Sequence, residues 1–163
     1  MNIVLVEPEI PQNTGNIART CAAAGTILHL IKPLGFSLDD KYLKRAGLDY
    51  WDKLEIYYYE NFEELKEKYS LFKFFYATTK ASKIYTDVSF PFDCFIVFGK
   101  ETAGLPRDLL EKNFDDCIRI PMKKDNRSLN LSNAVSIILY EALRQNGFAG
   151  LDIKINTILK RRC

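Results

Sequence analysis

Histidine is almost missing from this chain: there is one, His29, among 163 residues. The four cysteines, Cys21, Cys94, Cys117 and Cys163, stand far apart with no Cys-x-x-Cys pair. The chain therefore lacks both the clustered ligands of a zinc site and the framework of a disulfide-stapled fold. Reduced thiols packed as small hydrophobes are expected, and no metal is. No apolar run approaches the roughly 18 residues of a membrane span, the stretch from Cys94 to Phe98 ending at Gly99. Glu7 arrives too early for a secretory apolar segment, no targeting peptide is visible, and a cytoplasmic location is the expectation. Charge is nearly balanced, with 23 Lys and Arg against 21 Asp and Glu, which neither demands nor excludes a nucleic-acid partner. Neither the P-loop pattern nor Gly-x-Gly-x-x-Gly occurs, so the phosphate cradles they form are absent. No Gly-x-Ser-x-Gly elbow occurs either, and His29 lies mid-strand between Leu28 and Leu30, which discounts a Ser-His-acid hydrolase.

What is present is a β–α rhythm. Strand-length apolar runs at Asn2–Val6, Ile27–Ile31, Leu54–Tyr59, Lys73–Thr78, Cys94–Phe98 and Cys117–Ile120 alternate with helical stretches. The helices fall near Thr14–Ala24, around Asp40–Ala46, at Asn61–Lys68 with Asn61 as cap, after Pro106, and at Leu131–Gln145 closed by Asn146-Gly147. This predicts an α/β fold, a mostly parallel sheet with helices on both faces. With 47% hydrophobic residues the length suits one core, so residues 1–150 are read as a single domain and 151–163 as a basic extension. The last helix is apolar nearly all round in its first half, through Ala134, Val135, Ile137, Ile138 and Leu139. Such a helix buries two sides, and a partner subunit is a natural second surface, so a homodimer through this helix is expected.

In α/β sheets ligands collect at the carboxyl ends of strands. After the first strand come two prolines, a capping Asn13 or Thr14, and Asn16 and Arg19 on one helix face, with Ile17, Cys21 and Ala24 turned to the core. After the fifth predicted strand comes Gly99-Lys-Glu101-Thr-Ala-Gly104-Leu-Pro106, where a carboxylate sits among glycines that imply tight backbone packing. After the sixth, a charged loop leads to Ser128-Leu-Asn130-Leu-Ser132-Asn133, more small polar side chains than one N-cap at Asn130 or Ser132 requires.

These three segments, in order, resemble the motifs of the SPOUT RNA methyltransferases: Asn13-x-Gly15-Asn16-x-x-Arg19, then Phe98-Gly-x-Glu101-x-x-Gly104-Leu-Pro106, then Ile118-Arg-Ile-Pro121 with Ser128-Leu-Asn130-Leu-Ser132-Asn133-Ala134. Pro8-Glu-Ile-Pro11, Gly35-Phe36, Arg45–Tyr50 and Thr78-Thr79-Lys80 are similar, more narrowly, to the branch that methylates the wobble ribose of tRNA. The resemblance implies a C-terminal deep trefoil knot, a homodimer and S-adenosyl-L-methionine as methyl donor. It places the donor near Ala77, Thr78, Gly99, Ile120, Met122, Ser128 and Leu129. It makes Arg19 the group acting on the ribose hydroxyl, with Asn16, Glu101 and Asn130 as its positioning company and Tyr140 at the dimer interface or in the core. tRNA is the implied partner, the wobble nucleotide of leucine tRNAs the implied target, with no membrane and no metal. Lys41, Lys44, Arg45, Lys123, Lys124 and Arg127 are the candidate phosphate contacts. Another RNA target on the same machinery, or a non-catalytic RNA-binding module, are the alternatives.

Overall fold

The computed structural model describes residues 1–37 and 54–153. The helical patch expected at Asp40–Ala46, the basic residues Lys41, Lys44 and Arg45, and the basic end from Lys154 to Cys163 lie outside the described residues.

Seven strands form one sheet: β1 (Asn2–Val6), β2 (Ile27–Ile31), β3 (Ile56–Tyr59), β4 (Phe74–Ala77), β5 (Lys83–Ile84), β6 (Phe95–Phe98) and β7 (Cys117–Arg119). Their order is β3-β2-β1-β6-β4-β7-β5 and every ladder is parallel. Among the described residues the α-helices are α1 (Pro11–Ala24), α2 (Phe62–Lys68), α3 (Arg107–Lys112) and α4 (Leu131–Gln145). Strand β1 is buried at every residue, as a strand covered on both faces must be. One face carries Ile3, Leu5, Leu28, Leu30, Ile96 and Phe98 against Ile17 and Cys21 of α1 and Val135, Ile138 and Leu139 of α4. The other carries Val4, Val6, Phe74, Tyr76, Phe95 and Val97 against Phe62 and Leu65 of α2, with Leu109 and Leu110 of α3 at its margin. Each fully buried side chain of this size contributes roughly 1.5–3 kcal/mol.

Two elements depart from the sequence reading. Helix α1 starts at Pro11, so Asn13 and Thr14 lie inside it instead of capping it. Proline suits the first helical position because its φ is preset and no N–H is wasted. The two-residue β5 has no apolar run to announce it; it holds the sheet edge by pairing with β7. In contrast α2 is capped as expected, the Asn61 side chain accepting from the Glu64 N–H at 2.9 Å. The far end of α4 is tied to the chain before β6: Gln145 Nε2 donates to the Val88 carbonyl (3.0 Å), its Oε1 accepts from the Phe90 N–H (2.9 Å), and Asn146 Nδ2 donates to the Phe90 carbonyl (2.9 Å).

Midway along β2 His29 is completely buried. Asn2 donates its amide to the Asp93 carbonyl at 3.0 Å, which leaves its Oδ1 to accept from His29 Nε2 at 3.1 Å. Nδ1 is then the bare nitrogen and accepts from the Tyr59 hydroxyl at 3.1 Å. Tyr57, Tyr69 and Phe95 enclose the ring. Burial, with the positive charge of Lys68 and the N-terminus nearby, pushes its pKa down to about 4. Its hydrogen-bonding capacity is spent within the core. Cys21, Cys94 and Cys117 are free and buried, and desolvation raises the thiol pKa of Cys21 and Cys94 to about 12, which keeps them unreactive.

From β1 the chain turns outward through α1 to β2, whereas from β6, the neighbour of β1, it runs the opposite way through α3 to β7 beyond β4. Loops that diverge from adjacent strands leave a crevice at their carboxyl ends.

Candidate active site

That crevice is built from four connections. The β6–α3 loop turns back on itself: Gly104 donates its N–H to the Lys100 carbonyl at 2.8 Å, with Gly104 at φ 71. A Cβ on Gly99 would lie 2.0 Å from the Gly104 carbonyl carbon and 2.2 Å from the Leu105 nitrogen, so no other residue fits there.

Glu101, at the tip of this loop, is spent on the β1–α1 connection. Its Oε2 accepts from the Glu9 N–H at 2.8 Å, and its Oε1 accepts from the Ile10 N–H at 3.3 Å and from Asn13 Nδ2 at 2.9 Å. A carboxylate from another loop thus serves the start of α1, which has no side-chain cap of its own and favours negative charge there. Asn13 is the hub, only 5% exposed, its Oδ1 accepting from Asn130 Nδ2 at 2.9 Å. Asn130 caps α4, its Oδ1 taking the Ser132 N–H (2.9 Å) and hydroxyl (2.6 Å). Glu101, Asn13, Asn130 and Ser132 therefore join segments about 90 to 117 residues apart into one network. Two further contacts pin the same loops. Glu9 accepts from the Thr102 N–H (3.2 Å) and hydroxyl (2.7 Å), and Lys100 pairs with Glu7 at 2.8 Å. Glu7 sits at φ 50, a backbone state that side chains rarely adopt.

Beneath the network lies a cavity of about 560 Å³ lined by Ala77, Thr78, Gly99, Ile120, Met122, Ser128 and Leu129, together with Glu101, Asn13 and Asn130. All seven residues that the sequence assigns to the donor share this cavity. Asn16 and Arg19 do not line it. Both are exposed on α1, and Arg19 lies six residues beyond Asn13, about 9 Å along the helix axis. Lys80, Arg119 and Arg127 also line the cavity, while Glu101, its one carboxylate, is engaged. Among the described residues no group of His, Cys, Asp and Glu is arranged to hold a metal ion.

Asn13 and Thr102 are the site residues that sequence reading undervalued. Asn13 stood in the first motif yet was read as a cap, and nothing local to Thr102 announces its contact with Glu9.

The comparisons with known proteins agree with this geometry. The model of the SpoU rRNA methylase family matches residues 1–140. A protein of Saccharophagus degradans named tRNA (cytidine(34)-2'-O)-methyltransferase is 51% identical over 150 residues, 91% of this chain and 97% of that protein. A solved structure described as giving insight into 2-OH methylation of C/U34 on tRNA is 41% identical, with a TM-score of 0.86 over 90% of this chain and 95% of that one. An AdoMet-bound rRNA methyltransferase from Sinorhizobium meliloti is 26% identical, with a TM-score of 0.77 over 88% of this chain and 55% of that one. Among the described residues no helix is long and apolar enough to cross a membrane. A parallel α/β sheet with three interlocked motif loops, matched by the family model over residues 1–140, places this chain in the SpoU methylase family, within the SPOUT RNA methyltransferases.

Proposed function

We propose that this chain is an S-adenosyl-L-methionine-dependent tRNA 2'-O-methyltransferase acting on the ribose of wobble nucleotide 34, cytidine or modified uridine, with leucine tRNAs as the expected substrates. The observation that carries the reading is the single cavity shared by all the expected donor residues, closed by the Glu101–Asn13–Asn130 network. The relative of 51% identity favours tRNA over ribosomal RNA, which the broader family description names.

The fit to the donor rests on the walls. A cavity of about 560 Å³ falls in the range of small-molecule sites, and its strand-end backbone offers N–H and C=O groups to a nucleoside. When bound, the donor supplies an electrophilic methyl on a sulfonium. Ala77, Thr78, Gly99 and Ile120 present backbone to the adenosine, while Met122 and Leu129 exclude water. The network fixes α1, and with it Asn16 and Arg19, relative to the cavity, so that a ribose held over α1 is oriented toward the donor. A guanidinium donates hydrogen bonds and accepts none, so Arg19 orients and polarises the 2'-hydroxyl and the charge that develops on it. Lys123, Lys124 and Arg127, exposed beside the cavity, meet phosphates of the tRNA.

The reading extends to a homodimer. Along α4, Val135, Ile138, Leu139, Ala142 and Leu143 are buried in the chain's own core, whereas Ile137 and Tyr140 remain 37% and 45% exposed. Those two residues are the apolar part of α4 that its own core leaves for a second copy to cover. The trefoil knot belongs to the same reading, supported by the family match over residues 1–140. So does a cytoplasmic location, where tRNA is modified.

The test is methyl transfer from labelled S-adenosylmethionine to tRNA from cells lacking the protein, with the labelled nucleotide mapped and Arg19→Ala run in parallel. Label at the ribose of nucleotide 34, lost in the variant while S-adenosylhomocysteine still binds, is the expected result. Label on ribosomal RNA alone would overturn the tRNA assignment, and donor binding without any transfer would favour a non-catalytic module.

A further inference from the structure

A second cavity, of about 670 Å³, lies behind the β6–α3 loop; it shares Thr78 and Lys80 with the first, while Val6, Ala81, Phe114 and Cys117 line it alone. Its floor is the second hydrophobic cluster itself: Val6, Ala81, Leu105 and Cys117, each no more than 6% exposed, come to its surface. At its mouth stands Phe114, 59% exposed, an aromatic face that the core does not use.

Three cations line the rim, and their pairing distinguishes them. Lys100 is held by Glu7 at 2.8 Å and Arg107 by Glu111 at 2.6 Å, whereas the Lys80 ammonium has no carboxylate partner among the described residues. The cavity thus combines an apolar floor, one open aromatic face and one uncompensated positive charge. An apolar ligand leaves Lys80 unanswered, and an inorganic anion leaves the floor and Phe114 unused. A nucleotide answers all three, with its base on Phe114 and the floor and its phosphate at Lys80. Position agrees as well. Lys100, Ala103, Gly104 and Leu105 line both cavities, so the pinned loop is the partition between them, and Lys80 borders both.

We infer that this second cavity binds a nucleotide, supplied by the substrate strand near the methylated residue. The inference rests on the tRNA methyltransferase reading for its source of nucleotide. Its role is affinity and placement of the RNA, through stacking on Phe114, with no part in the chemical step.

The experiment joins kinetics to amide NMR on the full chain. Phe114→Ala, an exposed position, is expected to raise KM for tRNA roughly tenfold through lost stacking. Its kcat, its S-adenosylhomocysteine affinity and its unfolding midpoint are expected to stay at the wild-type values, with Phe114→Tyr restoring KM. In the wild type, an anticodon stem-loop is expected to shift the amides of Lys80, Ala81 and Phe114. Cytidine 5'-monophosphate at millimolar concentration separates the sources: shifts only with the stem-loop assign the cavity to the strand, and shifts with the mononucleotide as well assign it to nucleotides in general. An unchanged KM in Phe114→Ala, together with no amide shifts from either probe, overturns the inference. Absence of methyl transfer by the wild type, with the stem-loop still shifting those amides, overturns the enzymatic reading and leaves the nucleotide cavity standing.

Discussion

Two polar networks belong to the same sheet, one buried along its strands and one at their carboxyl ends, and they differ in nearly every physical respect. In the buried one Asn2, His29 and Tyr59 are joined within a shell of aromatic rings, at 3.1 Å on both sides of the imidazole, and the histidine has no exposure at all. At the carboxyl end Glu101, Asn13, Asn130 and Ser132 run from the buried Asn13 to the exposed Asn130, and the first three line a cavity. The buried network holds the group that chemistry would first suspect, a lone histidine, and has closed it off. The carboxyl-end network uses a carboxylate, amides and a hydroxyl, whose work is to hold three loops against one another. Proximity to an opening, and not the catalytic repertoire of a side chain, separates the site from the scaffold.

The comparison is broken most severely at Gly99. Gly99→Ala drives a methyl into backbone that would stand 2.0 Å away, so the loop partition must move, and S-adenosylhomocysteine affinity measured by calorimetry should fall by about 100-fold or more. Glu101→Ala comes next. It strands the Glu9 and Ile10 N–H groups and the Asn13 amide, and transfer should fall by about 100-fold, with about 2 kcal/mol lost from urea unfolding. Glu101→Gln retains an acceptor oxygen and should recover part of both.

The buried histidine network should respond to pH instead. The folded pKa of His29 is depressed from 6.5 to about 4, so the unfolded chain binds the proton more readily. This contribution to stability is fully present above about pH 6.5 and is lost as pH falls through about 4, amounting to about 3 kcal/mol in total. Unfolding followed between pH 7 and pH 4 should show that slope, and His29→Gln should flatten it. The smallest effect belongs to Tyr59→Phe, which removes the donor to His29 Nδ1 and should cost about 1 kcal/mol without changing methyl transfer at neutral pH.

Much of this architecture was legible in the sequence, because β1, β2 and α4 are continuous signals: apolar runs bounded by breakers, and a long helix with Asn130 before it. The start of α1 was misplaced because its orphan N–H groups are satisfied by Glu101, a residue roughly 90 positions away that no local window contains. The short β5 escaped because two residues at a sheet edge bury too little to leave a pattern. The seven residues that the family resemblance assigns to the donor fall in one cavity. The role of Asn13 as connector was not legible, since a side chain that bonds two distant loops looks, along the chain, like any asparagine near a helix start.

The most direct test of the division between the two networks is the thermal shift given by saturating S-adenosylhomocysteine in wild type, His29→Gln and Gly99→Ala, because a ligand that binds the native state raises its stability. Equal upward shifts in wild type and His29→Gln, with none in Gly99→Ala, are expected. A ligand response that survives in Gly99→Ala but disappears in His29→Gln would place the donor at the wrong network and contradict the account.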